Sequence, residues 1–380
     1  MKILYFTRSA PYVDSGGGGR RRTYQVCEAL KATGSFEFIT SFRPPVEILK
    51  KIDSKFRKVI TKNFVTNGEY KLWSKDRRDA LYRFRSIARE WLKSVPGLFA
   101  ADLIFVEDPV YFKPLVVGLK GAGIPVIASC QNIESLSYGR VSFADKQAIL
   151  YKELDILSLC DLTITISRED SWLLNNFGIK TYFFPYFPPP LDRQRLLKIR
   201  RFREKNKEKI KNGNILLLGN AGNIATRRGM KKVIDYWRVN SLSRSAGKLA
   251  VAGYKTDIFF KEVLAYPGIE FLGPLSNDEL DKKLQAVKAC LCYQEEGGGA
   301  LTRICEMLLA GIPVLANFNA ARTYANKQGV IEFAALEDLQ RVLARDGVFA
   351  GAVPEPPRPD TAELITEIKK ARGPVRTGGR

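Results

Sequence analysis

The sequence predicts an α/β protein of two tandem, doubly wound, Rossmann-like domains. Three observations point there. Twelve short runs rich in Val, Ile, Leu and Phe alternate with longer amphipathic stretches, the rhythm of parallel strands joined by crossover helices. One proline-rich break, Pro185-Tyr186-Phe187-Pro188-Pro189-Pro190, interrupts that rhythm, because proline has no amide to donate and restrains the residue before it. A length of 380 residues, with 45% hydrophobic side chains, exceeds what a single core usually serves.

In chain order, strands are expected at 2–7, 36–40, 102–107, 125–129, 162–167 and 181–184. Helical patterns fill most of the gaps, such as 23–34, where Gly34 supplies a stop. After the proline break a basic stretch over 191–211 reads as helix. The strand rhythm then restarts at 214–219, 248–253, 269–273, 289–293, 313–317 and 329–333. The expected units are residues 1–186, residues 187–350 and a tail over 351–380 with one helix-capable segment, 361–371.

Composition excludes several chemistries. The chain has no histidine, which removes Ser-His-Asp and Cys-His nucleophile pairs, HExxH zinc sites and imidazole bases. Its six cysteines, at 27, 130, 160, 290, 292 and 305, form no CxxC pair and read as reduced thiols of a cytosolic protein. The amino-terminal apolar run is too short for a signal peptide, and no stretch approaches the roughly 18 residues of a membrane span. A cytoplasmic protein is expected, at most peripheral on the inner face of a membrane.

The net charge is +21 and is unevenly placed: residues 50–93 carry 14 basic and 5 acidic side chains, and residues 191–211 carry 10 and 3. Such segments suit surfaces facing phosphate, whether lipid headgroups, a phosphorylated substrate or nucleic acid. Nucleic acid is not the expected partner, because no helix-turn-helix, RNA-recognition or OB signature accompanies the charge.

Two glycine-rich loops carry the chemistry. The first strand runs into Ser15-Gly16-Gly17-Gly18-Gly19, followed by Arg20, Arg21 and Arg22 at a helix start. Glycines let backbone amides approach a ligand, and the helix amino terminus adds positive partial charge, so an anion or sugar is expected there. No P-loop Lys follows, and the dinucleotide fingerprint is incomplete. The stronger signal is Tyr293-Gln294-Glu295-Glu296-Gly297-Gly298-Gly299-Ala300-Leu301-Thr302-Arg303-Ile304-Cys305-Glu306, which closes on Gly311-Ile312-Pro313. A strand delivers the chain to three glycines, and a helix is expected from about Ala300. Its free amides suit a diphosphate, Arg303 adds a charge-assisted contact, and Glu306 could accept bonds from vicinal ribose hydroxyls.

This run resembles the carboxy-terminal motif of the retaining GT-B glycosyltransferases of family 4, in the subgroup whose motif reads like GGGTRLKILE. Gly297 to Glu306 read GGGALTRICE, placing Arg303 on that subgroup's Lys and Glu306 on its last Glu. The resemblance implies that Glu306 binds the donor ribose and that Gly298 to Arg303 face the diphosphate and sugar. Glu296 lies ten residues before Glu306, where the family spacing is eight. The segment from Leu218 through Gly222 to Met230 resembles the family's strand, glycine and basic helix start: Arg228-Gly229 stands for its Lys-Gly, while Asn223 holds its Arg position and leaves Arg227 to compensate. Pro274 and Leu275 fall where the family meets the base. Ser129 to Ser135 resembles a strand-end HNxE motif with Gln131 in place of its His, followed by Asn132. Ser167 with Asp170 reads as a helix cap.

The resemblance therefore implies sugar transfer from a nucleotide diphosphate, UDP- or GDP-linked, with retention and without a metal. Arg228, Arg303 and Glu306 form the catalytic set. Gly16, Gly17, Gly18, Gln131 and Asn132 form the first domain's side of the cleft, where the acceptor is expected. That acceptor would be a glycan, lipid-linked or phosphorylated, and an anionic membrane surface is a further candidate partner, since aromatics such as Trp73 and Trp91 interleave with the basic residues of 50–93. The replaced family positions leave open a catalytically degenerate nucleotide-sugar-binding protein.

Overall fold

The computed structural model describes residues 1–7, 17–34, 36–39, 98–137, 142–261, 266–345 and 347–372. The basic segment 50–93 and the loop residue Gly16 lie outside them.

All twelve expected strands are present. The first six are β1 (Ile3–Phe6), β2 (Phe36–Ile39), β3 (Leu103–Glu107), β4 (Val126–Ser129), β5 (Leu162–Thr165) and β6 (Thr181–Phe183); they form one sheet in the order β2-β1-β3-β4-β5-β6. The others are β7 (Ile215–Leu218), β8 (Leu249–Ala252), β9 (Ile269–Gly273), β10 (Ala289–Cys292), β11 (Val314–Asn317) and β12 (Val330–Phe333), in the order β12-β11-β10-β7-β8-β9. Every pairing is parallel. Strands such as Ile3–Phe6 and Leu249–Ala252 are buried on both faces, which is why they read as continuous apolar runs without alternation.

The strand orders locate two crevices. In each sheet the sequence of strands reverses direction once, between β1 and β3 in the first and between β7 and β10 in the second. Loops leaving the carboxyl ends of the two strands at such a point diverge and leave room for a ligand. Both glycine-rich loops leave from these strands.

The proline break, Phe184 to Pro189, belongs to neither helix nor strand, and the expected basic helix is Pro190–Lys205, followed after Asn206 by one further turn at Lys207–Ile210. Two of its arginines turn inward, contrary to the expectation of a phosphate-facing surface. Arg203 donates to the carbonyls of Leu284 (2.9 Å), Val287 (2.6 Å) and Gly311 (3.1 Å), and Arg200 to those of Leu308, Leu309 and Val353. Apart from that of Val353, these carbonyls stand at or just beyond the carboxyl ends of the Asn277–Ala286 and Thr302–Leu309 helices, where unpaired acceptors and the helix dipole favour a cation. Burial lowers the Arg203 pKa to about 10.

The tail helix, Thr361–Arg372, returns to the first domain. Leu364 and Ile368 are fully buried among Ile3, Tyr5, Val26 and Leu30, and Arg372 is paired with Asp102. Replacing Leu364 by Ala should lower stability by about 3 kcal/mol, the usual range for a buried leucine. Urea unfolding checks this; an unchanged midpoint would mean that the helix does not dock.

Candidate active site

On the second domain's side, β7 ends at Leu218 and the chain turns through Gly219 into the Ile224–Val239 helix. Asn223 caps that helix, its side chain accepting the Thr226 amide at 3.0 Å. Asparagine at the family's arginine position thus has a local structural task. Gly229 lies against the other strand of the crevice: a Cβ there would overlap the Tyr293 carbonyl at the end of β10. After β10 the glycines lead to the Thr302–Leu309 helix, which starts two residues later than expected and has no side-chain cap.

Arg303 spans the crevice, donating to the Leu218 carbonyl and, at 3.3 Å, to Thr226 Oγ1. Arg228 is paired with Glu296, and Lys232 with Glu295. Arg227 stacks on Phe259, 4.1 Å from the ring centre. Gly222 is exposed and donates its amide to Asn220 Oδ1 at 2.9 Å. Pro274 and Leu275 follow β9, the edge strand, with Leu275 packed on the second core.

The glycine loop is held from both domains. Gly299 donates its amide to Asp170 Oδ2 at 2.9 Å, and Arg322 binds the carbonyls of Gly297 and Gly298 (3.2 Å) and Asn319 Oδ1 (2.9 Å). Ser167 caps its helix by accepting the Asp170 amide at 3.0 Å, so Asp170 serves both that helix start and the loop opposite. Burial raises the Asp170 pKa against the lowering effect of the Gly299 amide.

The first domain's loops meet the same glycines. A Cβ on Gly18 would lie 2.6 Å from Thr302 Oγ1, one on Gly298 would lie 3.0 Å from the Ile133 amide, and one on Gly299 would overlap the Gln131 carbonyl. Gln131 donates to Glu107 Oε1 (2.9 Å) and to the Gly19 carbonyl (3.3 Å). Glu107, buried at the end of β3, also accepts from Thr7 and Thr23, and desolvation pushes its pKa up. Gly18, Gln131 and Asn132 are therefore brought to Gly298–Thr302, whereas Gly17 is exposed and faces open space.

Glu306 is 7% exposed, and its Oε1 accepts from Arg21 Nη1 (2.6 Å) and from the Tyr186 hydroxyl (2.8 Å). Asp192 stands 3.9 Å from Arg21 Nε. The Glu306 carboxylate holds the Arg21 pKa above its ordinary value, and burial pushes the Tyr186 hydroxyl up. The Arg20-Arg21-Arg22 run needs correction as an anion-facing cluster. Arg21 faces a carboxylate, and Arg22 is buried against the carbonyls of Thr165 and Pro185 and over the Phe184 ring; Arg20 is exposed.

Sequence reasoning missed the roles of Arg21, Tyr186, Glu107 and Arg322. Only the first two gave any signal, one in the glycine-arginine run and the other in the proline break. Beside this junction lies a cavity of about 670 Å³, bounded by Leu136, Lys146, Arg168 and Trp172 of the first domain and by Glu296 and Gly297 of the second. Arg303 and Glu306 are not part of its wall.

No protein-family model matches the chain, and no curated protein sequence does. Solved structures do. Sucrose-phosphate synthase from Thermosynechococcus elongatus superposes with a TM-score of 0.56 at 15% identity, over 92% of this chain and 91% of that one. Anabaena HepE in complex with UDP and glucose gives 0.57 at 14% identity, over 97% and 98%. TarM gives 0.60 at 10% identity, over 98% and 99%. The fold is GT-B. In this GT-B chain the junction just described lies between the two sheets, and no described helix is long and apolar enough to cross a membrane.

Proposed function

We propose that the chain is a glycosyltransferase, moving a sugar from a nucleotide diphosphate, UDP- or GDP-linked, to a glycan, lipid-linked or phosphorylated acceptor. One observation carries this reading: Gly298, Gly299 and Thr302, at the reversal point of the second sheet, lie directly against Gly18, Gln131 and Asn132 of the first domain, and the next residue, Arg303, bridges back to the end of β7. Among the neighbours in fold, HepE was seen with UDP and glucose, which is consistent with such a donor.

In this reading departure of the nucleotide diphosphate is the difficult step, because negative charge grows on its bridging oxygen. Arg303 and Arg228 offset that charge, together with the amides at the start of the Thr302–Leu309 helix. A guanidinium has five donors, so Arg303 can keep its bond to the Leu218 carbonyl and still meet a phosphate. Glu306 uses Oε1 for Arg21 and Tyr186, and a carboxylate has roughly four acceptor positions, which leaves capacity for ribose hydroxyls. In the family that the glycine motif resembles, the departing phosphate oxygen is the base that takes the acceptor's proton, a course that needs no histidine and that fits reaction on one face of the sugar and retention. Cationic charge then comes from arginines and amides, with no metal required.

Hydrolysis of UDP-, GDP-, ADP- and CMP-sugars tests this. Turnover of a UDP- or GDP-sugar is expected, and Arg303→Ala should reduce it about a hundredfold, as for loss of one preorganised donor. Neither binding nor turnover with any donor would sink the proposal. Tight binding without turnover would establish the degenerate binding protein, a reading favoured by the existing pairings of Glu306 with Arg21 and of Arg228 with Glu296.

A further inference from the structure

The cavity beside the glycine loop has a chemical character of its own. Trp172 forms part of its wall, yet is 68% exposed, an unusual state for the largest apolar side chain. A bare indole face in a recess offers a flat surface to the apolar face of a sugar ring. Arg168 lies one helical turn before Trp172 and so shares its face, and Lys146 reaches the cavity from the first turn of the Phe143–Leu157 helix.

The charges around the wall are not balanced evenly. Glu295 is paired with Lys232, Glu296 with Arg228, Asp170 with the Gly299 amide, and Glu169 accepts from Thr323 at 2.9 Å. Lys146 and Arg168 have no acidic partner among the described residues; Arg168 only rests over Phe183, 5.5 Å from the ring centre. Both cations also stand in the first turn of a helix, where the dipole already supplies positive charge and a Lys or Arg is disfavoured. An anion would relieve both.

We propose that this cavity is the acceptor site and that the acceptor is an anionic sugar, its ring on Trp172 and its carboxylate or phosphate on Lys146 and Arg168. The assignment of the cavity to an acceptor rests on the glycosyltransferase reading, since its second-domain wall, Glu296 and Gly297, adjoins the loop given to the donor. Recognition of the anionic sugar does not.

Saturation-transfer NMR on the full chain, at low salt and without donor, tests it. The probes are methyl glucuronide, glucose 6-phosphate and neutral methyl glucoside. The expected result is binding of at least one anionic probe, at least tenfold tighter than the neutral one. Which anionic probe binds better distinguishes carboxylate from phosphate. Trp172→Ala and the double variant Lys146→Ala/Arg168→Ala should each weaken that binding at least tenfold, with thermal melting confirming that the variants fold. Equal binding of charged and neutral probes, no binding of any, or unchanged binding by folded variants would overturn it. Failure of the unaltered protein to bind any UDP- or GDP-sugar overturns the transferase reading instead, and the donor-free sugar measurement still stands.

Discussion

Replacing Glu306 by Ala is expected to cost about a hundredfold in donor turnover and about 3 kcal/mol in stability. The second figure follows from Arg21: its side chain is 20% exposed and faces Glu306 at 2.6 Å, and removing the carboxylate leaves that guanidinium in a poorly solvated place. The Tyr186 hydroxyl loses its acceptor as well. The two effects can be separated. Arg21→Ala should reproduce much of the stability loss but leave nucleotide affinity near that of the unaltered protein, whereas Glu306→Ala should weaken UDP binding about tenfold, the loss of one charge-assisted bond. A double-mutant cycle in urea should give a coupling of about 1–3 kcal/mol between the two positions. Additive effects would contradict the ion pair, and unchanged UDP affinity in Glu306→Ala would contradict a ribose role.

The fold was legible because its signals are local. Strands buried on both faces must be largely apolar, so runs such as Ile215–Leu218 and Leu249–Ala252 announce themselves, and prolines at 185, 188, 189 and 190 cannot continue either element. The two glycine loops were legible for the same reason, since neighbouring positions in sequence carry the whole motif. What joins the loops was not. Arg21 and Glu306 are 285 positions apart, Asp170 and Gly299 are 129 apart, and no periodicity relates such pairs. Net charge was a poor guide in detail: Arg200 and Arg203 look like solvent-facing members of a basic run, but three-dimensional packing sets them against helix carboxyl ends. The return of Leu364 to the first core is likewise a property of the assembled chain, although the helix carrying it was visible.

Gly299→Ala should be among the most damaging single-methyl changes in the molecule, because two independent costs coincide there. Its φ is +70°, a conformation that costs an L-residue about 1–2 kcal/mol, and the added Cβ would overlap the backbone carbonyl of Gln131, which cannot rotate away. The loop would have to shift, taking the Gly299 amide from Asp170 and the amino terminus of the Thr302–Leu309 helix from the Gly18 loop. Two other glycines calibrate the effect. Gly297 also has a positive φ, +122°, but the nearest atom to its Cβ would be Gln294 Oε1 at 3.9 Å, so Gly297→Ala should show the backbone cost alone. Gly17 has φ −65° and nothing within 4 Å of a Cβ, so Gly17→Ala should be close to neutral. Urea unfolding and donor hydrolysis on the three variants should therefore rank Gly299→Ala worst in both, with at least about a tenfold loss of turnover, equivalent to misplacing reacting groups by a fraction of an ångström. A Gly299→Ala variant indistinguishable from Gly17→Ala would mean that the second glycine loop does not meet the Gln131 loop, and that the two domains are not joined at this point.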